Sequence, residues 1–201
     1  MTALSNARSA GAGYVLRMHL LFVRRRLAGW FFRLTHAFRG VYIESGFMIE
    51  GADRVTLGPG VVVQRRAVFT TTPDGRLTVG AGSRIGSDAV IAVAREVTVG
   101  RDVLIAARCY ISDHGHRFSD PGRPVMHQGA DVPRPVHIGD GSWLGINVCI
   151  LPGVTLGSNC VVGANSVVTQ SIPDGAVVAG VPARVLGQAS PLTVMDGKAL
   201  G

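Results

Sequence analysis

From Ile138 onward an apolar residue returns every six positions: Ile138, Leu144, Ile150, Leu156, Val162 and Val168. Glycine follows directly at Gly139, Gly145, Gly157 and Gly163, and a small or modest residue stands four positions on, at Ser142, Val148, Val154, Cys160 and Ser166. The same rhythm runs upstream in shorter phases through Leu57, Val63 and Phe69, then Val79, Ile85 and Ile91, then Val99, Ile105 and Ile111. Residues between phases, such as the Pro-Asp-Gly-Arg stretch at 73–76, read as turn insertions. A period of six matches neither a helix at 3.6 nor an alternating strand. It matches a solenoid, in which each short strand forms one flat side of a coil and the next coil stacks on it. The recurring apolar residue points inward, and glycine sits where a side chain would clash at the corner.

Composition supports a packed solenoid. The 201 residues are 47% apolar and 16% charged, with 27 Gly, which excludes a disordered or collagen-like chain. Cys109, Cys149 and Cys160 lie far apart without CxxC spacing. They read as small core thiols in a reducing compartment, the cytoplasm, and not as a disulfide framework or a zinc site.

The formal charge of +7 has one address. No Asp or Glu precedes Glu44, while Arg8, Arg17, Arg24, Arg25, Arg26, Arg33 and Arg39 do; the other 13 Lys and Arg are balanced by 13 Asp and Glu. A body without basic excess argues against a nucleic-acid partner. The chain therefore divides into a basic amphipathic arm at 1–40, a solenoid at 41–187 and an unpatterned tail at 188–201 that reads as disordered. In the arm, Arg24 to Arg26 interrupt the apolar run, so it is too short to span a bilayer and does not read as a secretory signal. Trp30, Phe31, Phe32 and Phe38 beside arginine fit two uses: a helix at the inner face of a membrane, or a helix packed on the body or on a neighbouring subunit.

The rhythm stops once. Between Ser112 and His137 the chain carries four prolines and three glycines, then resumes in register at Ile138. This loop, 112–137, opens with Asp113, His114, Gly115 and His116. A loop leaving a rigid scaffold is where a solenoid can hold chemistry.

The stretches "DHGHRFSDPGRP", "VHIGDGSWLGINVCILPGVTLG" and "VVGANSVVTQSIPDGAVVAGVPARVL" resemble the hexapeptide-repeat acyltransferases, over about residues 55 to 187. The resemblance is to galactoside and maltose O-acetyltransferases, and especially to O-acetyltransferases of surface polysaccharides. It implies an all-β solenoid, a left-handed parallel β-helix, with an N-terminal helical arm and an active-site loop excursion. It also implies a homotrimer, acetyl-CoA as co-substrate, no metal, and a saccharide or glycan-precursor acceptor.

Carried onto this chain, the resemblance makes His116 the general base, aimed into a cleft between coils. Asp113 would orient an imidazole, and His114 and Trp143 would meet the acceptor. Gly145, Ile146, Ala164, Thr169 and Gln170 would line the pantetheine arm, and Arg184 would meet the coenzyme phosphates with its forked guanidinium. A neutral imidazole that removes the acceptor proton contributes about 10²- to 10⁴-fold in rate. Two departures stand out. Gln170 replaces a basic residue, and Gly86 and Ala94 occupy positions where galactoside-type enzymes hold the sugar with Asn and Asp.

Three other readings compete. N-acylation of a nucleotide-linked amino sugar shares the fold and the co-substrate. A metal-dependent hydratase would need a third His at ligand spacing from His114 and His116, and none follows. A non-catalytic scaffold gives no reason for the loop.

Overall fold

The computed structural model describes residues 20–34 and 40–188. Residues 20–34 form one helix. Residues 41–188 wind about seven turns of a left-handed parallel β-helix with three flat sides. The tail beyond 188, together with Phe38 and Arg39 of the arm, lies outside the described residues.

Each side is a sheet whose strands come from successive coils. The first side carries Tyr42–Ile43, Val62–Val63, Arg84–Ile85, Leu104–Ile105, Trp143–Leu144, Val161–Val162 and Ala176–Gly180 in parallel; Ala183–Gln188 then folds back antiparallel on the last of them. The second side runs from Met48–Glu50 to Val167–Val168, and the third from Val55–Leu57 to Thr155–Leu156. All fifteen recurring apolar residues from Leu57 to Val168 are buried. The solenoid also begins before the resemblance does. Ile43, Ile49 and Leu57 form the inner positions of a first coil that is buried like the rest.

Two features make the corners, and they fall at different positions. The glycine directly after the inward residue is required by coil spacing: a Cβ at Gly139 would lie 2.5 Å from the Gly157 carbonyl carbon, and one at Gly86 would lie 2.4 Å from that of Ala106. The left-handed backbone comes two residues later, and at Arg66, Asp88, Asp102, Arg108, Asn147, Asn159 and Asn165 it is held by residues other than glycine. Along the corner between the first and second sides, Arg66 forks onto Asp88 at 2.7 and 2.8 Å, and Arg108 donates to Asn147, which donates to Asn165. These exposed contacts tie neighbouring coils through the side chains that the turn leaves outside.

The helix closes the open end of the first coil. Gly29 and Phe32 are buried, Phe32 packs on Phe47, and Phe47 meets Phe69 edge to face with centroids 5.0 Å apart. Arg25, on the same side of the helix, pairs with Glu50.

Candidate active site

The loop starts where the chain turns from the second side to the third. Ser112 ends its strand, and Asp113 follows fully buried. Burying a carboxylate requires compensating donors, and the preceding coil supplies them at the same corner. The backbone N–H groups of Ala94, Arg95 and Glu96 donate to the Asp113 carboxylate at 2.8, 2.6 and 2.7 Å. A fourth contact is the His114 ring, whose Nδ1 lies 2.8 Å from Asp113 Oδ1. Ser112 Oγ donates to the His114 carbonyl at 2.9 Å. Arg134 N–H donates to the Asp113 carbonyl at 2.7 Å and Gly153 N–H to that of Arg134 at 3.0 Å, so the loop's exit is stitched to its entry.

Asp113 thus orients an imidazole, and that imidazole is His114. With Nδ1–H directed at the carboxylate, Nε2 is left as an acceptor. His116 stands one step further along a short antiparallel pairing with Ala130, flanked by Arg117 N–H to Gly129 O at 3.0 Å and Asp131 N–H to Gly115 O at 2.9 Å. Its side chain is exposed. Within one chain His116 therefore does not enter a cleft between coils, because the pairing carries the loop outward from the corner. The loop tip is held by Gln128, whose amide donates to the carbonyls of Asp120 at 2.8 Å and Arg123 at 2.7 Å. Gln128 and Ser112 were not singled out from the sequence; a lone Gln or Ser carries no spacing signal.

The other candidate residues occupy different corners. Trp143 faces outward on the first side, half exposed, in register with Leu104 and Val161. Gly145 and Ile146 turn from the first side to the second, and Ala164 sits on them one coil later, where a Cβ on Gly145 would come 2.7 Å from Ala164 N. Thr169 and Gln170 follow the last strand of the second side and are exposed, as is Arg184 on the closing hairpin. The width of the second side, roughly five residues or about 16 Å, separates the Asp113 corner from the Gly145 corner. One chain brings Gly145, Ile146 and Ala164 together, and Asp113 with His114; it does not bring these two groups together. Gly86 is explained by the stacked coil, whereas the Ala94 N–H to Asp113 is a backbone contact that does not depend on the side chain there.

Of the three cysteines read as core thiols, Cys109 and Cys160 are buried, whereas Cys149 faces outward on the second side and is partly exposed. The Cys109 thiol donates to the Gly145 carbonyl at 3.2 Å, and burial pushes its pKa up to about 11. Among the described residues no three His, Cys, Asp or Glu side chains converge on one point.

Comparison with known proteins gives concordant matches. A family profile described as bacterial transferase hexapeptide (six repeats) matches residues 135–170. The chain is 40% identical over 144 residues to nodulation protein L of Rhizobium meliloti, covering 70% of this chain and 73% of that one. It is 45% identical over 94 residues to galactoside O-acetyltransferase of Escherichia coli K12, covering 45% and 43%. Among solved structures, the N-acyltransferase AntD of Bacillus cereus, in complex with dTDP and 3-hydroxybutyryl-CoA, superposes with a TM-score of 0.65 over 76% of this chain and 81% of AntD. At 20% identity that likeness concerns the fold alone. Against the first curated relatives, which are named as acetyltransferases, the chain spans 37%, 52% and 43% of their length, about half or less.

Proposed function

The chain belongs to the hexapeptide-repeat transferases, and from that premise we propose that it transfers an acetyl group from acetyl-CoA to a hydroxyl of a saccharide or glycan precursor. The observation that carries the reading is the loop. A buried carboxylate fixes its root to the rigid coil and holds the His114 ring, and His116 stands two residues further out on the same loop, paired with Ala130. A thioester needs no covalent activation. It needs an acceptor oxygen aimed at its carbonyl carbon and a base for the proton. The acceptor oxygen bonds to that carbon, the C–S bond breaks, and the imidazole passes the proton to the departing thiolate.

His116, matched to the family's base, is assigned that role. A second reading gives it to His114, favoured by the 2.8 Å contact that orients its ring. Gly145, Ile146, Ala164, Thr169 and Gln170 would follow the pantetheine arm, Arg184 would meet its phosphates, and Trp143 would present an aromatic face to a sugar ring. N-acylation of an amino sugar remains the alternative acceptor chemistry.

The same reading includes a homotrimer. The first side presents Tyr42, Val62, Arg84, Leu104, Trp143, Val161 and Val177 outward, and the second presents Met48, Val68, Val90, Tyr110, Cys149 and Val167. The third presents Thr56, Thr78, Thr98, His137 and Thr155. Two mainly apolar sides, the first interrupted by the single charge of Arg84, and one polar side suit a closed ring in which different faces meet. Such a ring can set one chain's loop against the Trp143 and Gly145 corner of the next.

The test is acceptor-dependent thiol release from acetyl-CoA, with simple sugars, nucleotide-linked amino sugars and short glycan fragments, in wild type, His116→Ala and His114→Ala. Loss of at least 10²-fold in kcat on His116→Ala, with a smaller loss on His114→Ala, supports the assignment. The reverse order moves the base to His114. Release in neither protein nor variant, with any acceptor, removes the transferase reading.

A further inference from the structure

A helix that closes a solenoid end needs one apolar face, and this helix has two. Leu21, Arg25, Ala28, Gly29 and Phe32 turn toward the first coil and are partly or fully buried. On the opposite side Leu20, Val23, Leu27, Trp30 and Leu34 are 61, 50, 62, 62 and 50% exposed. Their spacing of three or four residues places them in one stripe along the helix.

Charge borders this stripe on both edges. At 3.6 residues per turn, Arg24 falls along one edge, and Arg26 and Arg33 along the other. Arg26 and Arg24 are exposed, and the Arg26 guanidinium stacks 5.4 Å over the Phe22 ring, one turn back on the side of Arg26 away from the stripe. Arg25 differs: it turns inward to Glu50. No acidic residue precedes Glu44 to offset the flanking arginines. Among the described residues no helix is long and apolar enough to cross a membrane.

We propose that the outward stripe of the 20–34 helix docks on the surface of an anionic lipid bilayer, with Leu20, Val23, Leu27, Trp30 and Leu34 entering the acyl boundary and Arg24, Arg26 and Arg33 meeting lipid phosphates. Such a surface meets both features of the stripe. A purely apolar partner would strand the arginines, and a purely anionic one would leave five large apolar side chains in water. A bilayer interface takes both within one helix width, with long arginine stems reaching up to the headgroups. Docked this way, the solenoid would stand on its closed end. Trp143 lies four coils above Tyr42, about 19 Å at the usual strand spacing. An acceptor carried on lipid would then be met well above the bilayer plane.

This inference rests on no part of the acyl-transfer reading, because vesicle binding is measured without turnover. The full chain is sedimented with vesicles of phosphatidylglycerol and phosphatidylcholine, and with phosphatidylcholine alone. Expected is binding to the anionic vesicles at least tenfold stronger than to neutral ones, weakening as salt rises. Leu27→Glu, at an exposed position that the fold tolerates, is expected to reduce binding at least tenfold with unchanged circular dichroism. In a Trp143→Phe background Trp30 is the remaining tryptophan of the two, and its emission is expected to shift to the blue on anionic vesicles. Three results overturn the proposal: no binding to anionic vesicles, binding indifferent to Leu27→Glu, or a fall in solution mass caused by Leu27→Glu. The last would mean that a second copy fills the hollow of about 280 Å³ that Trp30 and Leu34 share with Tyr42.

Discussion

At the scale of single residues, Asp113 has the clearest assignment. Its carboxylate gathers three backbone N–H groups and one imidazole in a site without solvent, so its first task is to hold the loop's root. Asp113→Asn keeps the shape but replaces an acceptor oxygen by a donor facing donors. The expected loss is roughly 2–4 kcal/mol, read as a lower urea midpoint with unchanged slope. Proteolysis should become faster within 114–131, where the pairing hangs from that root. A stable variant with an unaltered loop would show that the carboxylate is dispensable there. The sequence located this residue but not its partner. "DHGH" places two histidines close to Asp113, and only the turn of the chain decides that the adjacent ring receives the carboxylate while the next is carried outward.

At the scale of the element, the solenoid was legible because inward residues report directly on period. All fifteen inward positions read from Leu57 to Val168 are buried. Left-handed turns were less legible, since Arg66, Asp88 and Arg108 share them with Asn and Gly; what those residues have in common is a backbone conformation and not a side-chain property. The first coil was missed by the resemblance because Ile43 to Ile49 is a single repeat before the spacing lengthens. Coil spacing itself can be tested at Gly139, where a Cβ would collide with the Gly157 carbonyl carbon and Ser158 N at 2.5 Å. Backbone cannot yield as a flexible side chain does. Gly139→Ala is therefore expected to cost roughly 1–3 kcal/mol, whereas Gly115→Ala, with nothing within 4 Å, should leave the unfolding midpoint in place. Equal midpoints for both variants would mean that the coils are not stacked this tightly.

At the scale of the molecule, the distribution of surface decides how chains meet. The corner holding Asp113 and the corner holding Gly145 lie at opposite edges of the second side, so the proposed base and thioester arm need a neighbour's contribution. The outward residues Leu104, Tyr110 and Trp143 remain 45, 41 and 48% exposed in one chain, an apolar surface that water would penalise. If these faces join copies, a charge on either face breaks the ring, because a closed threefold contact uses both faces of every chain. Leu104→Glu and Tyr110→Glu should each yield folded monomers by sedimentation velocity. Thr98→Glu, on the polar third side, should sediment as wild type does. Acetyl transfer should fall with the trimer in the first two and persist in the third. The decisive measurement is a mixture of His116→Ala and Trp143→Ala chains, each expected to lose activity alone, dissociated and reassembled together. A site shared between subunits recovers activity in mixed rings, where an intact loop faces an intact corner; a site contained in one chain recovers none.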